Sequence, residues 1–309
     1  MALQPVPTDR AEWLAMRRRF IGGSEIATLF GVQPDYALAP FALWQIKAGH
    51  APEPDVGGER IEWGVRLESV IAEGAAEQEG WTIRKGRYAV CDDCDGMGAT
   101  LDFEIDGTDE RGPGVLEVKN ADWLIHKRTW TDGEPPLHIL LQLQHQLACS
   151  GYSWGAVACL VGGNDLRVYR YEAKPKLIAD IKRRVRAFWQ SVADNKPPPV
   201  SGSDSDATVL RAIYAETTDE LADMTDDNEL PEICARMTHA AARRKEAEAE
   251  EAKAKNELRA KVGPHTRIET QGFRISVSVT PAKAEREPPE GYMIPGRAEV
   301  RRYTVKEIG

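Results

Sequence analysis

Residues 96–120, GMGATLDFEIDGTDERGPGVLEVKN, contain the pattern that decides the fold. Polar and apolar side chains alternate through residues 100–105, which is typical of a strand with one buried face. Gly107 and the cluster at 112–114 then supply turn residues before a second apolar run at 115–118. Two such runs joined by a glycine-rich turn predict a β-hairpin.

The second strand of this hairpin carries an acid and an amine. Glu117 and Lys119 are two residues apart, so both side chains lie on one face while Val118 faces the core. Asp102, on the first strand, reaches the same place from across the hairpin. Two carboxylates beside an ammonium group suit Mg²⁺ and a water molecule that it activates. A solvated ladder of charges has the same spacing, so the flanking sequence has to decide between the two.

Composition bounds the class of protein. The 309 residues are enough for about two domains. A net charge of −9 argues against a broad DNA-coating surface but leaves room for a local basic channel. Without a long apolar run we expect neither a signal peptide nor a membrane span, and hence a soluble intracellular protein.

The cysteines favour reduced thiols over a disulfide framework, because five is an odd number in a chain of this size. Cys91 and Cys94 form a CxxC motif without a second pair at suitable spacing. A zinc site is therefore disfavoured.

Near the N-terminus, Gly22, Gly23 and Ser24 follow a basic cluster at residues 17–19 and precede a helix predicted at 25–30. Ser24 is placed to cap that helix. Two glycines before a helix also let a phosphate approach free backbone N–H groups. Both interpretations of Ser24 remain open from the sequence.

Two predicted helices flank the hairpin. The first spans residues 60–80 and presents Ile61, Val65, Leu67, Val70 and Ile71 as an apolar side, with Glu68 beside it in reach of the carboxylates. The second spans residues 137–149 and places Gln142, Gln144 and Gln146 among apolar residues. A buried amide needs polar partners, so we expect one near this helix.

A linker rich in Pro, Ser, Gly and Asp at residues 195–206 bounds the first domain, giving domains of 1–200 and 201–309. The second domain is predicted to contain helices at 208–224 and 230–262. A β-hairpin at 266–279 follows, with a further strand at 301–305.

Taken in order, six segments resemble the YqaJ-type phage recombinase exonucleases, which are relatives of phage lambda exonuclease in the PD-(D/E)xK superfamily. They are IGGSEIATLFGV (21–32), EWGVRLE (62–68), ATLDFEIDG (99–107), LEVKN (116–120), LQLQHQLACSG (141–151) and AFWQSV with KPPP (187–199). The resemblance implies an α/β fold with a restriction-endonuclease-like core, a central mixed sheet flanked by helices, followed by a C-terminal helical and β-hairpin extension.

The resemblance also implies roles for individual residues. Asp102 and Glu117 would be the principal ligands of Mg²⁺, for which Mn²⁺ substitutes, and the Val118 carbonyl would face the metal. Lys119 would orient or deprotonate the water, Glu68 would support the metal site, and Gln144, or less closely Gln142, would close it. Ser24 and Arg17 would hold the 5′-phosphate of the DNA.

The function implied is a Mg²⁺-dependent exonuclease acting 5′ to 3′ on ends of double-stranded DNA, which leaves 3′ tails for recombination. Its implied partners are a single-strand annealing protein and further copies of the chain, as in the ring of three that lambda-type relatives form. The resemblance also implies a location in the cytoplasm of a bacterium or a phage-infected host cell. The alternative is a non-cleaving DNA-binding or assembly module with a relict site. A sequence-specific endonuclease is disfavoured, because residues 201–309 offer little surface for reading bases.

Overall fold

A computed structural model gives the fold and describes residues 2–4, 9–53, 57–107, 111–216, 218–282 and 300–307. The chain divides into two compact units, Met1–Thr218 and Asp219–Gly309. The helices are α1 (Arg10–Arg18), α2 (Ile26–Phe30), α3 (Pro40–Lys47), α4 (Glu59–Glu79), α5 (Trp123–Thr129), α6 (Leu137–Ser150), α7 (Pro175–Ala193), α8 (Asp204–Ile213) and α9 (Glu229–Val262). The strands are β1 (Ala2–Gln4), β2 (Ile83–Lys85), β3 (Tyr88–Val90), β4 (Gly98–Thr100), β5 (Phe103–Ile105), β6 (Gly114–Ala121), β7 (Trp154–Val161), β8 (Asp165–Glu172), β9 (Arg267–Thr270), β10 (Phe273–Thr280) and β11 (Val300–Glu307).

The first unit is built around a five-stranded sheet in the order β2-β5-β6-β7-β8. Strands β6 and β7 are parallel, and the other neighbours are antiparallel. Residues of α4 pack on one face of this sheet, and residues of α6 and α7 pack on the other. This arrangement confirms the predicted α/β core, a mixed sheet flanked by helices.

The alternation along β6 decides which way the site faces. Val115 belongs to the core shared with α6 and α7, whereas Leu116 and Val118 belong to the core shared with α4. Because successive side chains point to opposite faces, Glu117 and Lys119 are directed to the same face as Val115. The sheet therefore presents this acid and this amine toward α6.

A smaller sheet, in the order β1-β3-β4, lies beside the point where the chain leaves and re-enters the central sheet. The backbone N–H of Gly86 donates to the Asp102 carbonyl at 3.0 Å. A Cβ atom at Gly86 would lie 2.1 Å from the Leu101 carbonyl oxygen, so this approach requires glycine. The strand predicted at 100–105 is divided here into β4 and β5, and Asp102 lies at the break rather than within a continuous strand.

Helix α4 packs through only part of its predicted apolar side, namely Leu67 and Ile71. Its buried residues are Ile71, Ala72, Ala75 and Ala76, with Leu67 partly buried against the same core. Ile61, Val65 and Val70 are exposed. The small alanine side chains, rather than the larger β-branched residues, thus form most of the face that lies on the sheet.

The first compact unit extends to Thr218, whereas the domain boundary predicted from the linker lies at residue 200. Helix α8 packs on α3, with Val209 against Ala42 and Ile46. The buried carboxylate of Asp206 accepts hydrogen bonds from the Ala42 N–H at 3.0 Å and from Ser201. The Ser/Asp-rich segment resembles a linker in composition, but it also contains the N-cap of α8.

The second unit consists of α9 and the sheet β9-β10-β11. Val262, Ile275 and Val277 form its buried core. Thr270 pairs with Phe273 across the turn at 271–272, and β11 pairs with β10 along its length. These features confirm the predicted long helix, hairpin and added strand. Within the residues that the structure describes, no helix is long and apolar enough to cross a bilayer.

Candidate active site

Asp102, Glu117 and Lys119 come together at the break between β4 and β5. The Lys119 Nζ atom lies 2.5 Å from Glu117 Oε1. The Val118 N–H donates to Asp102 Oδ2 at 2.9 Å, which ties the acid to the neighbouring strand. Glu117 is 1% exposed. The strand alternation and this backbone hydrogen bond therefore assemble two acids and one amine in a largely buried place.

The electrostatics of the three groups are coupled. Burial raises the pKa of Asp102 well above its ordinary value, and the charge of Glu117 raises it further. Burial lowers the pKa of Lys119, but the charges of Glu117 and Asp102 outweigh it, so that the net shift is upward. Lys119 is therefore an ammonium group at neutral pH. When both are ionised, the two carboxylates carry more negative charge than one lysine neutralises, which favours binding of a further cation.

Two glutamines of α6 hold the Glu117 carboxylate. Gln142 Nε2 donates to Glu117 Oε1 at 2.7 Å, and Gln146 Nε2 donates to Glu117 Oε2 at 2.6 Å. Gln142 Oε1 also lies 3.2 Å from Lys119 Nζ. Residues four apart share a helix face, so these two amides approach the acid together.

Gln144 does not close the site, which corrects the sequence expectation. Its Nε2 donates to the Glu172 carbonyl at 2.8 Å, and its Oε1 accepts from the Lys174 N–H at 2.7 Å. A residue two positions from Gln142 and Gln146 points to the other side of an α-helix. The sequence shows three alternating glutamines but not the rotation of α6 relative to the sheet. Gln144 instead secures the connection from β8 to α7.

Glu68 lies at the margin of the site. Its negative charge contributes to the raised pKa of Asp102, which places it close to that acid. Its side chain is 23% exposed and forms an ion pair with Lys85. Glu68 is therefore near the carboxylates, and its oxygen is engaged by a lysine that the sequence did not indicate.

A cleft joins these acids to the N-terminal segment. Asp102 and Gln142 line it together with Arg17, Ser24 and Gly23. Ser24 lies exposed in the 3-10 turn Gly23–Glu25 and does not cap α2, which begins without a side-chain cap. The cap interpretation of Ser24 is thus wrong, since the Glu25 carboxylate takes the Gly22 N–H at 2.7 Å instead.

Arg17 is the member of the basic cluster that reaches the cleft. Its guanidinium carbon lies 4.7 Å from the centroid of the Trp13 ring, and its NH2 atom lies 3.2 Å from Glu25 Oε1. Arg18 and Arg19 are exposed. The helical spacing of α1 thus separates three consecutive arginines that the sequence alone could not rank.

Lys47 and the role of Gln146 were not predicted from the sequence. Lys47 is buried in the largely apolar helix α3, and its Nζ atom lies 2.9 Å from Glu25 Oε2. A lysine among apolar residues calls for such a partner. Gln146 was noted as a buried amide, and its four-residue spacing from Gln142 was the signal that pairs them.

The donors present suit a hard divalent cation. Carboxylate oxygens are the ligands that Mg²⁺ prefers, and it keeps several waters rather than requiring a full protein cage. Across the described ranges, no three His, Cys, Asp or Glu side chains form a ready-made metal cluster. Asp102 and Glu117 would hold the ion, with Glu68 nearest as a further acid. Burial and the charge of Glu117 both raise the pKa of Asp102, so a cation bound here would favour the ionised form of this acid.

Comparisons with known proteins agree with this description. Residues 12–153 match the YqaJ-like viral recombinase domain. The uncharacterized protein YqaJ of Bacillus subtilis (strain 168) is 29% identical over 227 residues, which cover 71% of this chain and 68% of that protein.

The fold also resembles the crystal structure of an alkaline exonuclease, LHK-Exo, from Laribacter hongkongensis. The match has a TM-score of 0.50 and 21% identity, and it covers 60% of this chain and 94% of that one. A second structure of LHK-Exo, in complex with dAMP, matches equally. Residues 12–153 of this chain are therefore similar to the YqaJ-like viral recombinase domain, and its fold is similar to that of LHK-Exo.

Proposed function

We propose that this protein is a Mg²⁺-dependent DNA exonuclease that degrades one strand of linear duplex DNA from the 5′ end and leaves 3′ tails. The observation that carries the proposal is the set formed by Asp102, Glu117 and Lys119 at the end of a cleft lined by Arg17 and Ser24. The match of residues 12–153 to the YqaJ-like viral recombinase domain and the similarity of the fold to that of an alkaline exonuclease support a nuclease role.

Each residue of the site has a distinct task in phosphodiester cleavage. A bound Mg²⁺ ion would supply charge neutralisation at the phosphate and a more acidic water. The Val118 N–H fixes the orientation of Asp102, and the amides of Gln142 and Gln146 fix Glu117. Lys119, as an ammonium group, orients the attacking water and stabilises negative charge that develops at the phosphate.

The cleft supplies the preference for a DNA end. Arg17 offers a guanidinium that suits a terminal phosphate, and Ser24 offers an exposed hydroxyl beside it. A 5′-phosphate held there would present the adjoining phosphodiester to Asp102 and Glu117, which line or border the same cleft.

Digestion of matched DNA substrates tests the proposal. Linear duplex and covalently closed circular duplex of the same sequence are incubated with Mg²⁺, with Mn²⁺ or with a chelator. We expect the linear DNA alone to be degraded, and only with the metal present. Release of a 5′ label before a 3′ label would establish the direction. Binding without cleavage would refute the nuclease and favour a non-cleaving module, whereas nicking of the circle would refute the exonuclease.

We also propose that the chain assembles with further copies of itself into a trimer and that it acts with a single-strand annealing protein. The match of residues 12–153 to a viral recombinase domain supports this proposal. The unit Asp219–Gly309 also offers α9, whose large apolar residues Leu230, Ile233 and Met237 are exposed. Light scattering of the full chain, and of a chain that ends at Thr218, measures the assembly. A monomeric full chain would refute the first part.

A further inference from the structure

Glu25 places a negative charge in the cleft where we propose that Arg17 and Ser24 bind the 5′-phosphate. It lines the cleft with Arg17 and Ser24, and it is only 8% exposed. Burial raises the pKa of Glu25, but the charges of Lys47 and Arg17 and the Gly22 N–H outweigh it and lower the pKa. Glu25 is therefore an anion inside a cleft that is to receive an anion. Without a second cation nearby, the charge of Glu25 would also neutralise that of Arg17.

Lys47 is placed to neutralise the negative charge of Glu25. Its side chain is fully buried, and its Nζ atom lies 2.9 Å from Glu25 Oε2, on the carboxylate oxygen that Arg17 does not contact. The same Nζ donates to the Arg17 carbonyl at 2.8 Å. Lys47, the last residue of α3, thus binds both the acid and the backbone that carries the arginine.

The charges of the three groups leave one positive charge in excess. Lys47 and Arg17 are cations and Glu25 is an anion, so neutralisation of Glu25 by Lys47 leaves the guanidinium charge for a ligand. His145, which lies near Glu25, adds no charge at neutral pH because burial lowers the pKa of its imidazole to about 4. Without Lys47, Glu25 and Arg17 would form a neutral pair.

We infer that Lys47 is a positioning residue for 5′-end recognition, because it neutralises Glu25 and leaves Arg17 available to the terminal phosphate. This inference rests on the proposed function, in which Arg17 and Ser24 bind the 5′-phosphate. It assigns to Lys47 no contact with DNA. It predicts instead that the preference for a 5′-phosphate over a 5′-hydroxyl depends on a buried lysine, and that the loss of Lys47 is relieved when the charge of Glu25 is also removed.

A binding experiment without divalent metal separates this role from cleavage. The full chain is titrated into a duplex that carries a 3′ fluorophore and either a 5′-phosphate or a 5′-hydroxyl. The readout is the ratio of the two dissociation constants. We expect the wild type to prefer the phosphate by about tenfold or more, the scale of a charge-assisted hydrogen bond.

Three variants complete the test. Lys47→Met should bring the ratio close to one, and Lys47→Met with Glu25→Gln should restore most of it. The matched control is Lys182→Met, which also breaks a lysine ion pair, with Asp93, but does not line the cleft. It should keep the wild-type ratio.

Each outcome decides something. If the wild type binds both ends alike, the proposed 5′-phosphate site and the role of Lys47 are both refuted. The nuclease proposal is tested separately, by the digestion experiment. A wild type with a preference that Lys47→Met retains refutes only the role of Lys47. If Lys47→Met does not fold, the double variant, which buries no lone charge, still must prefer the phosphate. A folded double variant without preference would show that Lys47 acts through the fold alone.

Discussion

Glu104, two residues after Asp102 on β5, is the group on which a quantitative prediction can be made. It is fully buried, and its oxygens accept from Arg87 Nε and NH2 at 2.7 Å, from Arg84 NH2 at 2.8 Å and from Tyr152 OH at 2.6 Å. Burial raises the pKa of Glu104, but the hydrogen bonds from Arg87, Tyr152 and Arg84 outweigh it and lower the pKa to about 2.

The pKa shift gives the expected magnitude for Glu104→Gln. The ordinary pKa is 4.5 and the folded value is about 2. Each pKa unit corresponds to about 1.4 kcal/mol, so the ionised form of Glu104 contributes about 3 kcal/mol to the free energy of unfolding at pH 7. Because the folded pKa is the lower one, this contribution is complete above pH 4.5 and is lost as the pH falls toward 2.

Urea unfolding followed by tryptophan fluorescence measures this effect in the first unit alone, because all eight tryptophans lie before Thr218. We expect Glu104→Gln to lose about 3 kcal/mol at pH 7 and less than half of that at pH 3. The matched control is Asp106→Asn, which removes a partly exposed partner of Arg84 and should cost under about 1 kcal/mol. A loss that is the same at both pH values would refute the electrostatic reasoning.

Three further predictions concern the site and its support. Lys119→Ala should slow cleavage by on the order of a hundredfold, as expected for loss of a charge stabiliser, and weakened DNA binding with unchanged turnover would contradict that role. Gln146→Leu should lower the cleavage rate by about tenfold or more because it removes a hydrogen bond to Glu117, whereas Gln144→Leu should mainly lower stability. Equal losses of activity in the two folded variants would contradict these different roles of the two glutamines. A chain that ends at Thr218 should keep the tryptophan-monitored melting temperature of the full protein, and one that ends at Pro199 should melt at least about 5 °C lower because α8 is lost. Equal melting temperatures would refute the contribution of α8.

Much of the site follows from strand periodicity. Glu117 and Lys119 are two residues apart, and the structure directs both toward α6 while Val118 enters the opposite core. A long element with strong signals was also predicted closely, since α9, expected at 230–262, spans Glu229–Val262 and ends before Gly263. Local rules determine these features, so the sequence suffices for them.

Features that depend on how elements meet were not predicted. The rotation of α6 decides that Gln142 and Gln146, rather than Gln144, reach Glu117, and no local pattern specifies it. The ion pair of Lys47 with Glu25 joins residues that are distant in the chain. Likewise, the close contact at Gly86, beside the break between β4 and β5, is visible only once β3 and β4 are placed.

Asp102 and Glu117 should both be essential for cleavage, because they would hold the metal for hydrolysis of DNA. Cleavage of linear duplex with saturating Mg²⁺ is compared for the wild type, Asp102→Asn, Glu117→Gln and the control Asp106→Asn, each with its fold confirmed by tryptophan fluorescence. We expect cleavage to disappear in the first two variants, because each loses the charge of a metal ligand, and to persist in the control. Wild-type cleavage by either Asp102→Asn or Glu117→Gln would contradict the account.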